Sequence, residues 1–285
     1  MARKKRKKNG AFSPRKAIFL IILVAGCLIM ARGLEWDYTQ KPEPEECQDL
    51  TEGNLLDVRT APGAPEVRKQ YLGMDISFNP KAHIPNWVSW ELTDEETQGK
   101  TPRSNKFAND PTVDGCPDTW DYSYSGYDRG HMAPAGDMKW DPQAMQETFY
   151  LTNICPQAKA LNTGSWRTLE EKCRVWARAL GHIYIVCGPV IDGKPMEYIG
   201  DSRIYVPGRF FKAIIAPDAN PAMGIGFIMP NGKVPGGMQP HAVTIDSIEA
   251  LTGHDLFPAL PDELERELES QCNFNRWSTI RNKKK

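Results

Sequence analysis

Between residues 166 and 180, Trp166, Leu169, Cys173, Trp176 and Leu180 recur at spacings of 3, 4, 3 and 4, drawing one apolar stripe down a helix. Gly181 follows, a residue that closes a helix by turning freely. Around that helix lie β-rich stretches at 71–78, 87–92, 150–154, 183–187, 210–216 and 224–229, each bounded by Gly, Pro or Asn. Two further helices are expected over 243–251, closed by Gly253, and 262–270, opened by Pro261. The pattern predicts an α+β fold with a mainly antiparallel sheet and packed helices. No internal repeat interrupts it.

At 285 residues, with 40% hydrophobic and 25% charged residues, the chain has ordinary globular usage, which excludes collagen, a coiled coil, a polytopic membrane protein and wholesale disorder. The formal charge of −1 hides an asymmetry: nine of the 35 Lys and Arg precede Gly33, where no Asp or Glu occurs, so 26 basic residues face 36 acidic ones in the remainder. An acidic body disfavours indiscriminate coating of a polyanion, so nucleic-acid contact would have to be focused by a metal or a few arginines.

The basic start is followed by an apolar run over 17–31, between a signal-peptide core and the length that spans a bilayer. A cleaved signal peptide and a retained anchor both fit residues 1–34, and Val24-Ala25-Gly26-Cys27 adds a lipoprotein-like option. A purely nucleic-acid-binding arm leaves the apolar run unexplained. Export is therefore expected, with the protein periplasmic, extracellular or held to the membrane by its N-terminus. Residues 35–65, rich in Pro and Glu, read as a flexible tether. The folded domain is expected over 66–275, with a basic tail over 276–285.

Without Cys27 six cysteines remain, an even number that permits disulfides in an exported chain but allows 15 pairings. No CxxC pair exists, which argues against structural zinc. GxSxG, GxxxxGK[ST] and HExxH are absent, and Gly224-Ile225-Gly226 lacks the third glycine of a dinucleotide loop.

What remains is Asp128-Arg129-Gly130-His131, after a Tyr- and Ser-rich turn. Glycine removes a side chain where a backbone or a substrate could approach. Imidazole can accept a proton from water near neutrality, while guanidinium grips phosphate through paired hydrogen bonds. Downstream come Asn153, Asn162, Glu170 and Arg174. If the helix starts near Asn162, Glu170 lies about 12 Å along its axis and about 80° around it, with Arg174 one turn beyond. A carboxamide oxygen can hold a hard cation that keeps most of its waters, and a carboxylate can orient those waters.

These motifs, in register, resemble the DNA/RNA non-specific endonucleases of the ββα-metal group. The likeness extends from about Tyr71 to Leu260, taking in Asn86-Trp87-Val88 and Val243-Thr244-Ile245-Asp246. It implies a ββα-metal finger in which His131 is the general base and Asn162 the direct ligand of Mg²⁺, with Mn²⁺ or another divalent cation as substitutes. Glu170 would hold the metal's waters, Arg129 and Arg174 would steady phosphate, and Asn153 would support the site. Arg103 would add a phosphate contact, although its surroundings depart from the family pattern. DNA and RNA are the implied substrates, and a homodimer and membrane attachment through an uncleaved N-terminus stay open.

Other residues are assigned blander roles. Asp128 is read as a carboxylate holding the turn in preference to one orienting the base, and Glu171 as a solvated neighbour of Glu170. His83, His182, His241 and His254 have no partner at ligand spacing. Lys139 and Arg167 are read as solvated cations, Trp87, Trp166 and Trp176 as core, and Cys155 and Cys173 as packing or disulfide residues. A binding or uptake protein without catalysis and a small-nucleotide phosphodiesterase are the alternatives to an endonuclease.

Overall fold

The computed structural model describes residues 53–281. In chain order its strands are β1 (Val67–Gln70), β2 (Asp75–Asn79), β3 (Ile84–Thr93), β4 (Asp128–His131), β5 (Ile154–Gln157), β6 (His182–Pro189), β7 (Glu197–Ile199), β8 (Ile204–Val206), β9 (Arg209–Ala216), β10 (Met223–Pro230) and β11 (Ala242–Val243). The helices are α1 (Pro142–Glu147), α2 (Arg167–Leu180), α3 (Ile245–Thr252), α4 (Asp262–Glu269) and α5 (Phe274–Thr279). Seven strands form one antiparallel sheet in the order β1-β2-β3-β6-β9-β10-β11, while β4 pairs with β5 and β7 with β8. The α+β expectation holds.

Strand alternation sorts the sheet's side chains into two cores. Val88, Trp90 and Leu92 of β3 join Phe210 and Ile214 of β9 beneath α2 and the β4–β5 finger. Trp87, Phe211, Ala213 and Ile215 point the other way, toward Ile245 and Ile248 of α3 and Leu268 of α4. The α2 stripe is buried as its spacing requires: Trp166, Leu169, Cys173 and Trp176 are at most 1% exposed, and each large apolar side chain so buried contributes roughly 2 kcal/mol. On the opposite face, Gly224 and Gly226 make room for the helices. A side chain at 224 would run into the Leu268 carbonyl, and one at 226 would sit 2.7 Å from Ile248 Cδ1. Thr244 caps the start of α3 by accepting from the Ser247 amide, and left-handed Gly253 closes it.

Several boundaries differ from expectation. Residues 71–74 form the β1–β2 turn, closed by the Tyr71 amide donating to the Met74 carbonyl, so the strand expected at 71–78 starts at Asp75. The stretch 150–154 is mostly a 3₁₀ turn, Leu151–Asn153, and the strand follows it. The tether expected over 35–65 is folded from residue 53 onward. Leu55 and Val58 are buried in the second core, Trp87 Nε1 donates to Thr60 Oγ1 at 2.8 Å, and Ser89 Oγ donates to the Leu56 carbonyl at 2.7 Å. Two apolar anchors in a Pro- and Glu-rich segment make no periodicity, which is why composition misplaced the start.

The basic tail expected over 276–285 likewise begins late. Trp277 of α5 is 1% exposed, packs edge-on to Trp176 and donates to the Gly224 carbonyl. The leader and anchor readings, Cys27, Cys47 and the last four residues lie outside the described residues, among which no helix is long and apolar enough to cross a membrane. Cys116, Cys155, Cys173, Cys187 and Cys272 are free thiols, so no disulfide occurs among the described residues. An even cysteine count carries no geometry, and Cys155, Cys173 and Cys187 serve as core.

Candidate active site

Strand β4 pairs with β5 so that Asp128 faces Gln157 and His131 faces Ile154. Gly130 is required by a neighbour within the fold, because a Cβ there would strike the buried Gln157 side chain. His131 is 7% exposed, its ring edge-on to Phe149 at 4.9 Å and tilted against Phe107 at 5.5 Å. Its Nε2 is buried without a hydrogen-bond partner. Burial, helped by the Arg103 charge, pushes the imidazole down to about 3, so at neutral pH the ring is uncharged.

Asn162 lies on a wide helical turn, Leu161–Trp166, that precedes α2 and is broken at Gly164, whose φ of −104° and ψ of −118° leave the helical region. This corrects the helical ruler: Asn162 and Glu170 do not share one regular helix, and the break between them sets their relation. The Asn162 amide nitrogen donates to Asp128 Oδ2 at 2.9 Å. A carboxylate only accepts, so this bond fixes the amide's orientation and leaves its oxygen for the cavity. Asp128 therefore aims Asn162, a role distinct from the turn-holding and base-orienting ones considered for it.

Glu170, near the start of α2, is pushed up to about 7 by burial, with Asp137 adding to the rise and Lys212, Arg174 and Arg103 opposing it. Arg174, one turn on, donates through Nη1 to Asp137 Oδ1 at 2.7 Å, and Asp137 also accepts from Trp90 Nε1. Gly136 leaves room for this guanidinium, which would stand 2.9 Å from a Cβ at that position. Arg103 lies over the Phe149 ring at 5.0 Å and donates to Asn105 Oδ1.

One cavity of about 390 Å³ is lined by Arg103, His131, Asn162, Glu170 and Arg174, with Arg167 and Glu171 at its side. Five expected site residues thus converge, including the loosely placed Arg103. Two do not reach it. Asn153 spends both amide atoms on backbone, donating to the carbonyls of Ala133 and Thr148 and accepting from the Ala133 amide, so it shapes the turn after His131. Arg129 turns to the Thr119 carbonyl at 2.7 Å and to the rings of Phe107 and Tyr122. Asn153 thus acts only through the turn it shapes, and Arg129 is corrected from phosphate contact to a supporting position, its Nη2 bonded to Thr119 and its Nε buried without a partner.

Asp137 and Lys212 were missed. Lys212 is fully buried, its Nζ 4.7 and 4.8 Å from the centroids of Trp90 and Trp166 and without a hydrogen bond, within the field of Glu170 and Asp137. A lone Lys in the apolar run of β9, at the same parity as Phe210 and Ile214, was the available signal. The remaining histidines bond elsewhere: His83 to Gly115, His182 to Glu91 and Asp218, His241 to Ile228 and Pro235, and His254 to Ala61.

The model of the DNA/RNA non-specific endonuclease family matches residues 55–263. The chain is similar to "Nuclease EXOG, mitochondrial" of Mus musculus, with 29% identity covering 90% of this chain and 77% of that protein. It is also similar to "Mitochondrial nuclease" of Saccharomyces cerevisiae, with 35% identity covering 69% and 67%. Among solved structures, one of the EndoG/EndoGI complex superimposes with a TM-score of 0.64 at 28% identity, covering 69% of this chain and 88% of that one. These names overturn the expected export, since the mouse and yeast relatives are mitochondrial nucleases. A basic leader free of acids is shared by secretory and organellar targeting, so its charge could not separate the two destinations.

Proposed function

The chain belongs to the DNA/RNA non-specific endonuclease family and is a nuclease, and from that premise we propose that it is a Mg²⁺-dependent, sugar-nonspecific endonuclease hydrolysing phosphodiester bonds in DNA and RNA. The observation that carries this reading is the single cavity onto which His131, Asn162, Glu170, Arg174 and Arg103 converge.

The donors fit a hydrated divalent ion, because a carboxamide oxygen freed by the Asp128 bond and a carboxylate are both hard oxygen ligands. Asn162 would hold Mg²⁺ directly and Glu170 through its waters. Bound there, the ion would neutralise charge on the phosphate and on the leaving oxygen. The protein's own groups do the rest. Neutral His131, its ring fixed against Phe149 and Phe107, takes the proton of the attacking water at Nε2. Arg174, aimed by Asp137, and Arg103 hold phosphate oxygens and oppose the charge that grows on them. These groups address phosphate and not base edges, which accounts for indifference to sequence and sugar.

Incubation of the full chain with plasmid DNA and with RNA tests this. Both are cut in Mg²⁺, chelation stops the cutting, and Asn162→Ala requires far more Mg²⁺ than the unaltered protein. Full activity in His131→Ala would overturn the mechanism. Metal-dependent retention of uncut DNA would indicate a binding protein, and cleavage of a small diester alone a phosphodiesterase.

A further inference from the structure

On the sheet face opposite the cavity, Asp246 and Glu249 of α3 and Glu269 of α4 each bring a carboxylate oxygen within 4.8 Å of the other two. Glu269 is only 6% exposed, and its Oε1 is buried with no hydrogen-bond partner. The Glu269 carboxylate thus lies among two other acids with one oxygen buried and unsatisfied, which is costly.

The surroundings deepen the anomaly. Asp255 and Glu265 add to the negative field at Glu269. Arg59, a cation whose charge acts on Glu265, is paired with Asp255 at 2.8 Å. Glu269 is also the last residue of α4, and a helix C-terminus favours a cation. The arrangement is held by backbone: Gly224 lets the Leu268 carbonyl press against β10, and Glu249 Oε1 accepts from the Leu256 amide at 2.7 Å. These contacts fix Glu249 and the end of α4, so Glu249 and Glu269 stay close unless the helices move. Burial and these neighbouring anions push Glu269 up to about 9.

We propose that Asp246, Glu249 and Glu269 form a calcium site, separate from the catalytic cavity, that fastens α3 to α4 on the far face of the sheet. Ca²⁺ takes oxygen ligands at about 2.4 Å, and three oxygens no more than 4.8 Å from one another lie within about 2.8 Å of a common point, so a small side-chain adjustment brings all three to one ion. Mg²⁺, at about 2.1 Å, requires a tighter set. Asp246 is exposed and Glu249 half-buried, which leaves one side open for the waters that complete a coordination sphere of six to eight.

The test counts calcium on the full-length protein. Equilibrium dialysis is run against Ca²⁺ with the unaltered chain, Glu269→Gln, Asp246→Asn and, to isolate the catalytic cavity, Asn162→Ala. Glu269→Gln and Asp246→Asn are each expected to bind one Ca²⁺ fewer than the unaltered chain, while Asn162→Ala keeps the far-face ion. At Ca²⁺ about a hundredfold above Kd, the unaltered chain should gain on the order of 5 °C in Tm, and the two far-face variants should lose that part of the gain. Asp246 is exposed, so Asp246→Asn supplies the result if Glu269→Gln does not fold. Unchanged stoichiometry and an unchanged Tm response in Asp246→Asn would overturn the site. So would a Glu269→Gln protein more stable than the parent without calcium, combined with no calcium response in the parent, which is the behaviour of carboxylates that share a proton.

Discussion

Strand β9 presents Phe210, Lys212 and Ile214 to one side of the sheet and Phe211, Ala213 and Ile215 to the other, and the two sides are finished differently. Toward the finger, a buried Lys lies over Trp90 and Trp166, a buried Asp holds Arg174, and a buried His leaves Nε2 unbonded. Toward α3 and α4, the interior is mainly apolar, its buried Ser89 and His254 bonded to backbone, and acids gather where the helices meet. Charges on the finger side are costly to bury, and they persist where they converge on a cavity. One strand therefore divides chemistry from cohesion by parity alone.

The sharpest way to break that comparison is at His131. His131→Ala should lower the rate of plasmid cleavage by roughly 10² to 10⁴-fold, with little change in Tm. A large loss of stability with modest loss of rate would show that the division is false. The counterpart across the sheet is Ile248→Ala, at a fully buried position. It should cost about 3 kcal/mol in denaturant unfolding and leave the cleavage rate at 25 °C unchanged.

A third test uses pH. Burial pushes His254 down to about 4, and its Nδ1 accepts from the Ala61 amide at 2.9 Å. Above about pH 6.5 both folded and unfolded chains hold this ring neutral. As pH falls from there toward 4 the unfolded chain takes up a proton that the folded one refuses, so stability declines, by up to about 3 kcal/mol. Denaturant titrations of His254→Gln between pH 7 and 4 should show a shallower decline than the parent, and equal slopes would exclude His254 as a source. The smallest effect is expected at the exposed Arg59–Asp255 pair. Arg59→Ala should cost about 0.5 kcal/mol or less, vanishing at high salt.

What the sequence disclosed follows the range of the physics involved. The α2 stripe was legible because burial of one helix face repeats locally, and Asp128 to His131 because four adjacent residues carry the signature. Leu55 and Val58 were not, since two apolar residues make no period. The relation of Asn162 to Glu170 was misjudged because Gly164 breaks the helix between them. Asp137 escaped because its meaning comes from Arg174, 37 positions on, and Arg129 was misassigned because its hydrogen-bond partner is a carbonyl, which leaves no trace in side-chain pattern.

The bond from Asp128 to Asn162 has an evolutionary corollary. His131 and the carboxylate that aims Asn162 ride on the same four-residue strand, so their separation behaves as a fixed gauge. Insertions in the long approach between β3 and β4 leave that gauge intact, whereas a single residue added inside it would rotate one end away from the cavity. Length variation among homologues should therefore crowd into the approach and stop at Asp128.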